Sequence, residues 1–158
     1  GKCTVREKAL SGVLHAAAHL QTGPLQHVVQ AHVIGLLREG RVDPIPWWQE
    51  GWALDMGTLC EAAKCAALAR FEAVAASPSF LSAPEQLVCE LLRDDRLVAP
   101  SEEFIFESLL RWARAHQLAR LPDCCIAQIR FARLLRSPPL GTSDSGIEHF
   151  IGSVPELR

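Results

Sequence analysis

The chain has 158 residues, and its 49% hydrophobic content is enough to build the core of a helical domain. Its net charge of -2 provides no global field for nucleic acid or an acidic membrane, and the absence of tyrosine argues against a base-stacking surface. No apolar run approaches the ~18 residues that a membrane span needs, so we expect neither a nucleic-acid nor a membrane partner.

Periodic apolar residues, separated by proline, glycine and serine, predict a series of helices and no convincing strand. Gly40 is typical of the position just past a helix end, and Asp43-Pro44-Ile45-Pro46 is typical of a stiff break. In chain order, we predict helices over about residues 5–21, 24–39, 47–54, 59–76, 84–93, 101–117 and 122–135.

The same periodicity predicts which side chains form the core, and short polar patterns predict where helices begin. The helix at 24–39 has the apolar set Leu25, Val28, Val29, Val33, Leu36 and Leu37. The pattern S/T-x-x-E, in which two side chains satisfy two free backbone donors, predicts capping boxes at Thr4–Glu7, Thr58–Glu61 and Ser82–Glu85.

The helix predicted at 101–117 has the clearest pattern in the chain. Ser101 follows a proline and can cap the first turn with its hydroxyl. Ile105, Leu109 and Trp112 fall on one apolar stripe, which indicates a core helix with Trp112 buried.

Histidines and cysteines are the candidate metal ligands. His15 and His19 have a chelating spacing on a helix, but no glutamate lies between them and no third ligand is evident nearby. The six cysteines are scattered through helical stretches, and we expect them to be reduced, mostly buried thiols. Cys60 and Cys65 miss the usual zinc spacing, and adjacent Cys124-Cys125 should point in different directions. We therefore predict no metal site.

Catalytic patterns are absent from the sequence. There is no nucleophile elbow and no glycine-rich phosphate loop. Asp144-Ser145-Gly146 is interpreted as a solvated loop, and the paired acids belong to a turn and a helix start. We predict a protein that is not an enzyme, with no catalytic residues and no cofactor.

Three of the four tryptophans, Trp47, Trp48 and Trp52, fall within six residues. One interpretation is packing beneath the preceding helix pair. The other is an exposed partner-binding anchor at Trp48, since tryptophan is enriched at binding hot spots.

An ordered series of four segments carries a wider pattern: Ser77–Leu81, Leu87–Leu97, Ser101–Trp112 and Ile129–Phe131. The series resembles the BACK domain, the helical region after the BTB domain in kelch-like proteins. Upstream, Val13–Gln21 and Val28–Leu37 resemble the last BTB helices and the 3-box. The resemblance implies an all-α fold, an antiparallel array of helical hairpins.

By this resemblance, residues 1–41 are the end of a BTB domain with its 3-box, and residues 42–158 are a BACK domain truncated at its C-terminus. We expect the BTB core and the substrate-binding domain to lie outside this chain.

The resemblance also implies a function. Similar proteins are adaptors of cullin-3 RING ubiquitin ligases, so this chain would be a non-catalytic arm that positions a substrate-binding domain relative to cullin-3. The parent protein would be a homodimer in the cytoplasm, with the nucleus as an alternative. A BTB-BACK interaction scaffold without ligase activity, cytoskeletal or transcriptional, is the competing interpretation. Candidate partner-binding residues are His27, Gln30, Ile34, Leu37 and Trp48.

Overall fold

The computed structural model describes residues 9–127, and this part of the chain is built from α-helices without a strand. The predicted all-α class is confirmed. The helices are α1 Leu10–His19, α2 Gly23–Glu39, α3 Pro44–Ala53, α4 Gly57–Ala69, α5 Phe71–Ala75, α6 Pro78–Leu81, α7 Glu85–Arg93, α8 Glu102–Ala115 and α9 Asp123–Ile126.

The chain divides into two compact units, Gly1–Arg70 and Phe71–Arg158. In the first unit α1 packs on α2, α2 on α4, and α3 on α4. Short turns join α1 to α2 and α3 to α4, so each pair is a helical hairpin. The sequence-predicted boundary between residues 41 and 42 concerns family segments and stays a prediction.

Contact between α3 and α4 depends on a glycine in the first unit. A Cβ atom added to Gly51 would lie 2.7 Å from Cys60 Sγ and 3.1 Å from the Cys60 backbone nitrogen. The two helices therefore approach closely, because α3 presents no side chain at this point.

Aromatic side chains occupy the core of the second unit. Trp112 is buried on α8, as predicted, and its indole nitrogen donates a 2.8 Å hydrogen bond to the carbonyl of Ala83. Phe71 meets the rings of Phe80 and Phe104 edge-on, at centroid distances of 5.9 and 6.0 Å. α8 begins as expected, with the Ser101 hydroxyl accepting from the Phe104 amide.

Several helix boundaries differ from the prediction. α3 begins at Pro44 rather than near residue 47, because the Asp43 carboxylate accepts from the Ile45 amide and proline suits a first turn. The single helix predicted at 59–76 is divided at Arg70, whose backbone leaves the helical conformation with φ -129° and ψ 36°. The short α6 was not predicted; Ser77 caps it through the Phe80 amide.

Two of the predicted capping boxes are wrong. Thr58 lies inside α4, where its hydroxyl accepts from the Gln30 side chain. Ser82 donates to the Ser79 carbonyl, and α7 begins after Pro84 without a side-chain cap. In both cases nearby groups use the hydroxyl that the pattern assigned to the helix start.

Some predictions lie outside the described residues: the capping box at Thr4–Glu7, the C-terminal part of the helix at 122–135, and the loop around Asp144. Within residues 9–127, no helix combines the length and apolar character needed to cross a membrane.

Candidate interaction surface

Exposed apolar side chains gather at one end of the α1–α2 hairpin. Leu20, just after α1, is 69% exposed, and Leu25 and Val28 in the first turns of α2 are 45% and 67% exposed. Leu25 and Val28 are three residues apart and share a face of the helix, which continues to the exposed His32. We call Leu20, Leu25 and Val28 the hairpin patch.

The adjoining face of α2 carries the residues that pack inside the first unit. Val29, Val33, Leu36 and Leu37 are buried and form the stripe that packs in the first unit. The apolar residues of α2 cover a wider arc than one contact face can bury, so Leu25 and Val28 face solvent. Leu25 and Val28 belong to the same apolar set in the sequence as the packed residues, but both lie at the surface. The width of this arc was the signal that could have indicated it.

The structure separates the five predicted partner-binding residues into two groups. His27 is exposed, and Gln30 and Ile34 are half-buried. Gln30 already donates to the Thr58 hydroxyl on α4. Whether His27, Gln30 and Ile34 meet a partner stays a prediction.

Leu37 and Trp48 are each only 1% exposed, so their selection as surface residues is wrong. Leu37 lies in the last turn of α2 on the packed stripe. Trp48 lies in the core beside Trp52, with ring centroids 5.8 Å apart, and the Lys64 ammonium lies 6.0 Å from its ring. For Trp48 the packing interpretation is correct.

His15 is held by a carboxylate rather than paired with His19. Its Nε2 contacts Glu50 on α3, and the same carboxylate accepts a 2.8 Å hydrogen bond from the Ser11 hydroxyl. These bonds tie α1 to α3 inside the first unit, which gives His15 a structural role.

The cysteines of the second unit depart most from expectation. Cys89 on α7 and Cys124 on α9 form a disulfide, although we expected reduced thiols. Cys125 is buried, with its sulfur 4.0 Å from that of Cys124, so the adjacent pair converges instead of diverging. Burial, and secondarily the charge of Glu85, raises the pKa of the Cys125 thiol to about 11.

The described residues therefore form an all-α fold of packed helical hairpins with an exposed apolar hairpin end. A family model described as BACK, BTB And C-terminal Kelch, matches residues 48–137, which is more than half of the chain. The chain belongs to the BACK family, whose domain is a non-catalytic scaffold. A search of curated proteins gave no match.

Proposed function

We propose that this chain is the helical arm of a kelch-like substrate adaptor for a cullin-3 RING ubiquitin ligase. The membership of the BACK family supports the architecture of such an adaptor. The hairpin patch supports a partner on α1–α2, the pair of helices that resembles the 3-box. The exposure of Leu20, Leu25 and Val28 is the observation that carries the proposal.

The mechanism is positional. The arm sets the distance between a bound substrate and the ubiquitin-loaded enzyme, and it breaks no bond itself. A stiff arm suits this role because holding the reactants in place reduces the entropy lost on reaction. The His15–Glu50 contact and the Gln30–Thr58 hydrogen bond stiffen the unit that would contact cullin-3.

The hairpin patch would contribute to the affinity for cullin-3 through the burial of its apolar side chains. Removing apolar surface from water is worth roughly 25 cal/mol per Å², and residues at the centre of an interface contribute most of the affinity. His27 and Ile34 lie on the same helix but on a different side of it from Leu25 and Val28, so they would have to meet another part of the partner. In the proposed assembly, the parent protein is a cytoplasmic homodimer, and a domain outside this chain binds the substrate.

The test is direct binding of the full-length protein that carries this chain to the N-terminal domain of cullin-3, measured by interferometry. We expect Val28→Glu to weaken binding at least about 10-fold, because a charge replaces a buried apolar contact. Val98→Glu is the matched control, since Val98 is 61% exposed but lies in the second unit. It should leave the affinity unchanged.

Two results would overturn the proposal. Absence of binding at micromolar concentration would favour the alternative, a BTB-BACK interaction scaffold without ligase activity. Equal losses in Val28→Glu and Val98→Glu would remove the α1–α2 hairpin from the interface.

A further inference from the structure

Three cysteine sulfurs converge between α7 and α9 in the second unit. Cys125 Sγ lies 3.5 Å from Cys89 Sγ and 4.0 Å from Cys124 Sγ, and all three sulfurs lie within 4.8 Å of one another. Within residues 9–127 they are the group of side chains whose ligand atoms are close enough to share one metal ion.

A carboxylate adjoins the sulfurs. Glu85 Oε1 lies 3.5 Å from Cys124 Sγ. Glu85 and Cys89 are four residues apart on α7, so they share the face that packs on α9. The Cα atoms of Cys89 and Cys124 are 6.1 Å apart. α7 and α9 therefore supply three sulfurs around one point, and the Glu85 carboxylate lies beside one of them, Cys124.

The spacing fits tetrahedral coordination. With metal–sulfur bonds of about 2.3 Å, neighbouring sulfurs of a tetrahedral zinc site are about 3.8 Å apart, and the two distances from Cys125 lie on either side of this value. We propose that, once Cys89 and Cys124 are reduced, the three cysteines and the Glu85 carboxylate bind a thiophilic divalent cation of the zinc class.

Thiol–disulfide exchange is the competing use of such a cluster. In this reaction the attacking sulfur must approach in line with the S–S bond. Its distance to the leaving sulfur would then exceed its distance to the attacked sulfur by one S–S bond length, ~2 Å. Cys125 Sγ is only 0.5 Å farther from Cys124 than from Cys89, by the difference of 4.0 and 3.5 Å. It lies beside the bond, which suits a shared ligand better than an attacking thiolate.

Charge and burial also favour a cation. Cys125 and Cys89 are buried, whereas Cys124 is half-buried and Glu85 is exposed, which leaves a route for an ion to enter. Without a cation, the pKa of Cys125 is raised, because its thiolate would be buried beside a carboxylate. A bound dication would instead lower the pKa of Cys125, since the cation stabilises thiolates directly.

The reduced, metal-binding form is reached by a balanced reaction. A phosphine reductant and water convert the Cys89–Cys124 disulfide to two thiols, while the phosphine becomes its oxide. The cation then displaces the three thiol protons, so the apparent affinity should increase with pH.

The test is an anaerobic titration of the phosphine-reduced 158-residue chain with Co²⁺, followed by absorbance. We expect one ion per chain, a sulfur-to-cobalt charge-transfer band and the visible bands of tetrahedral cobalt, all abolished by Zn²⁺. Cys124→Ser should reduce the charge-transfer intensity by about one third and the affinity at least about 10-fold. Cys125→Ser should do the same, provided circular dichroism shows it folded.

Matched variants complete the test. Glu85→Gln should weaken affinity but keep the charge-transfer intensity, because it removes an oxygen ligand and no thiolate. Cys65→Ser, an exposed thiol on α4, and Cys3→Ser should change neither. Absence of a tetrahedral spectrum in the reduced chain would overturn the proposal. So would wild-type affinity in Cys124→Ser, or loss of the spectrum in Cys65→Ser or Cys3→Ser.

Discussion

The guanidinium of Arg70 donates a 2.8 Å hydrogen bond to the main-chain carbonyl of Leu37. This carbonyl belongs to the last turn of α2, where backbone acceptors lack helical partners. The chain then turns at Gly40, which has a left-handed φ of 74°, and the guanidinium lies against its Cα. Arg70 thus acts as a cap on α2 from the end of α4.

Gly40→Ala should reduce the free energy of unfolding by about 1–2 kcal/mol, since an L side chain strains at positive φ. It would also press on the Arg70 guanidinium. In an Arg70→Ala background the same change should cost less, because this second contact is gone. Urea melts of the four proteins in this cycle measure the coupling, and strictly additive losses would contradict the contact.

Gly51→Ala should destabilise the protein by about 1–3 kcal/mol, because the new methyl would meet the Cys60 backbone, which cannot rotate away. Gly35→Ala is the control on α2, where an added Cβ meets nothing within 4 Å. It should stabilise the protein by about 0.5–1 kcal/mol through helix propensity. Thermal melts of both variants give the comparison. Similar changes in melting temperature relative to the wild-type chain would argue against close approach of α3 and α4.

Trp48→Ala should cost about 3–5 kcal/mol, the loss typical of a large buried side chain. Trp52→Ala, the half-buried partner in the same ring contact, should cost clearly less. Chemical denaturation followed by circular dichroism separates the two. A loss under about 1 kcal/mol for Trp48→Ala would return Trp48 to the surface-anchor interpretation.

The oxidised protein should lose stability as pH rises through the alkaline range. The pKa of Cys125 is raised from 9.0 to about 11 in the folded chain, so above pH 9 the unfolded state releases a proton that the folded state keeps. The contribution of the neutral thiol to the free energy of unfolding is therefore at its full value below about pH 9, and it is lost as the pH rises towards 11. Cys125→Ala should flatten this part of the pH profile of urea melts; an unchanged slope would contradict the raised pKa.

Local chemistry in the sequence was sufficient for much of the fold. Ser101 identified the start of α8, and Gly40 identified the end of α2. Helical spacing placed Trp112 on the apolar stripe of a core helix, where it is buried. These features depend on neighbours within a few residues, which sequence patterns record directly.

Tertiary structure decided the rest, because it depends on partners distant in sequence. Nothing near Arg70 indicates that its side chain caps α2, and nothing near Val28 shows that Val29 and Val33 take the packed face instead. The convergence of Cys89 with Cys124 and Cys125 joins positions 35 residues or more apart. The sequence by itself determined most of the helices and the resemblance to the BACK family. Packing decided which apolar, aromatic and sulfur-bearing side chains meet one another and which meet solvent.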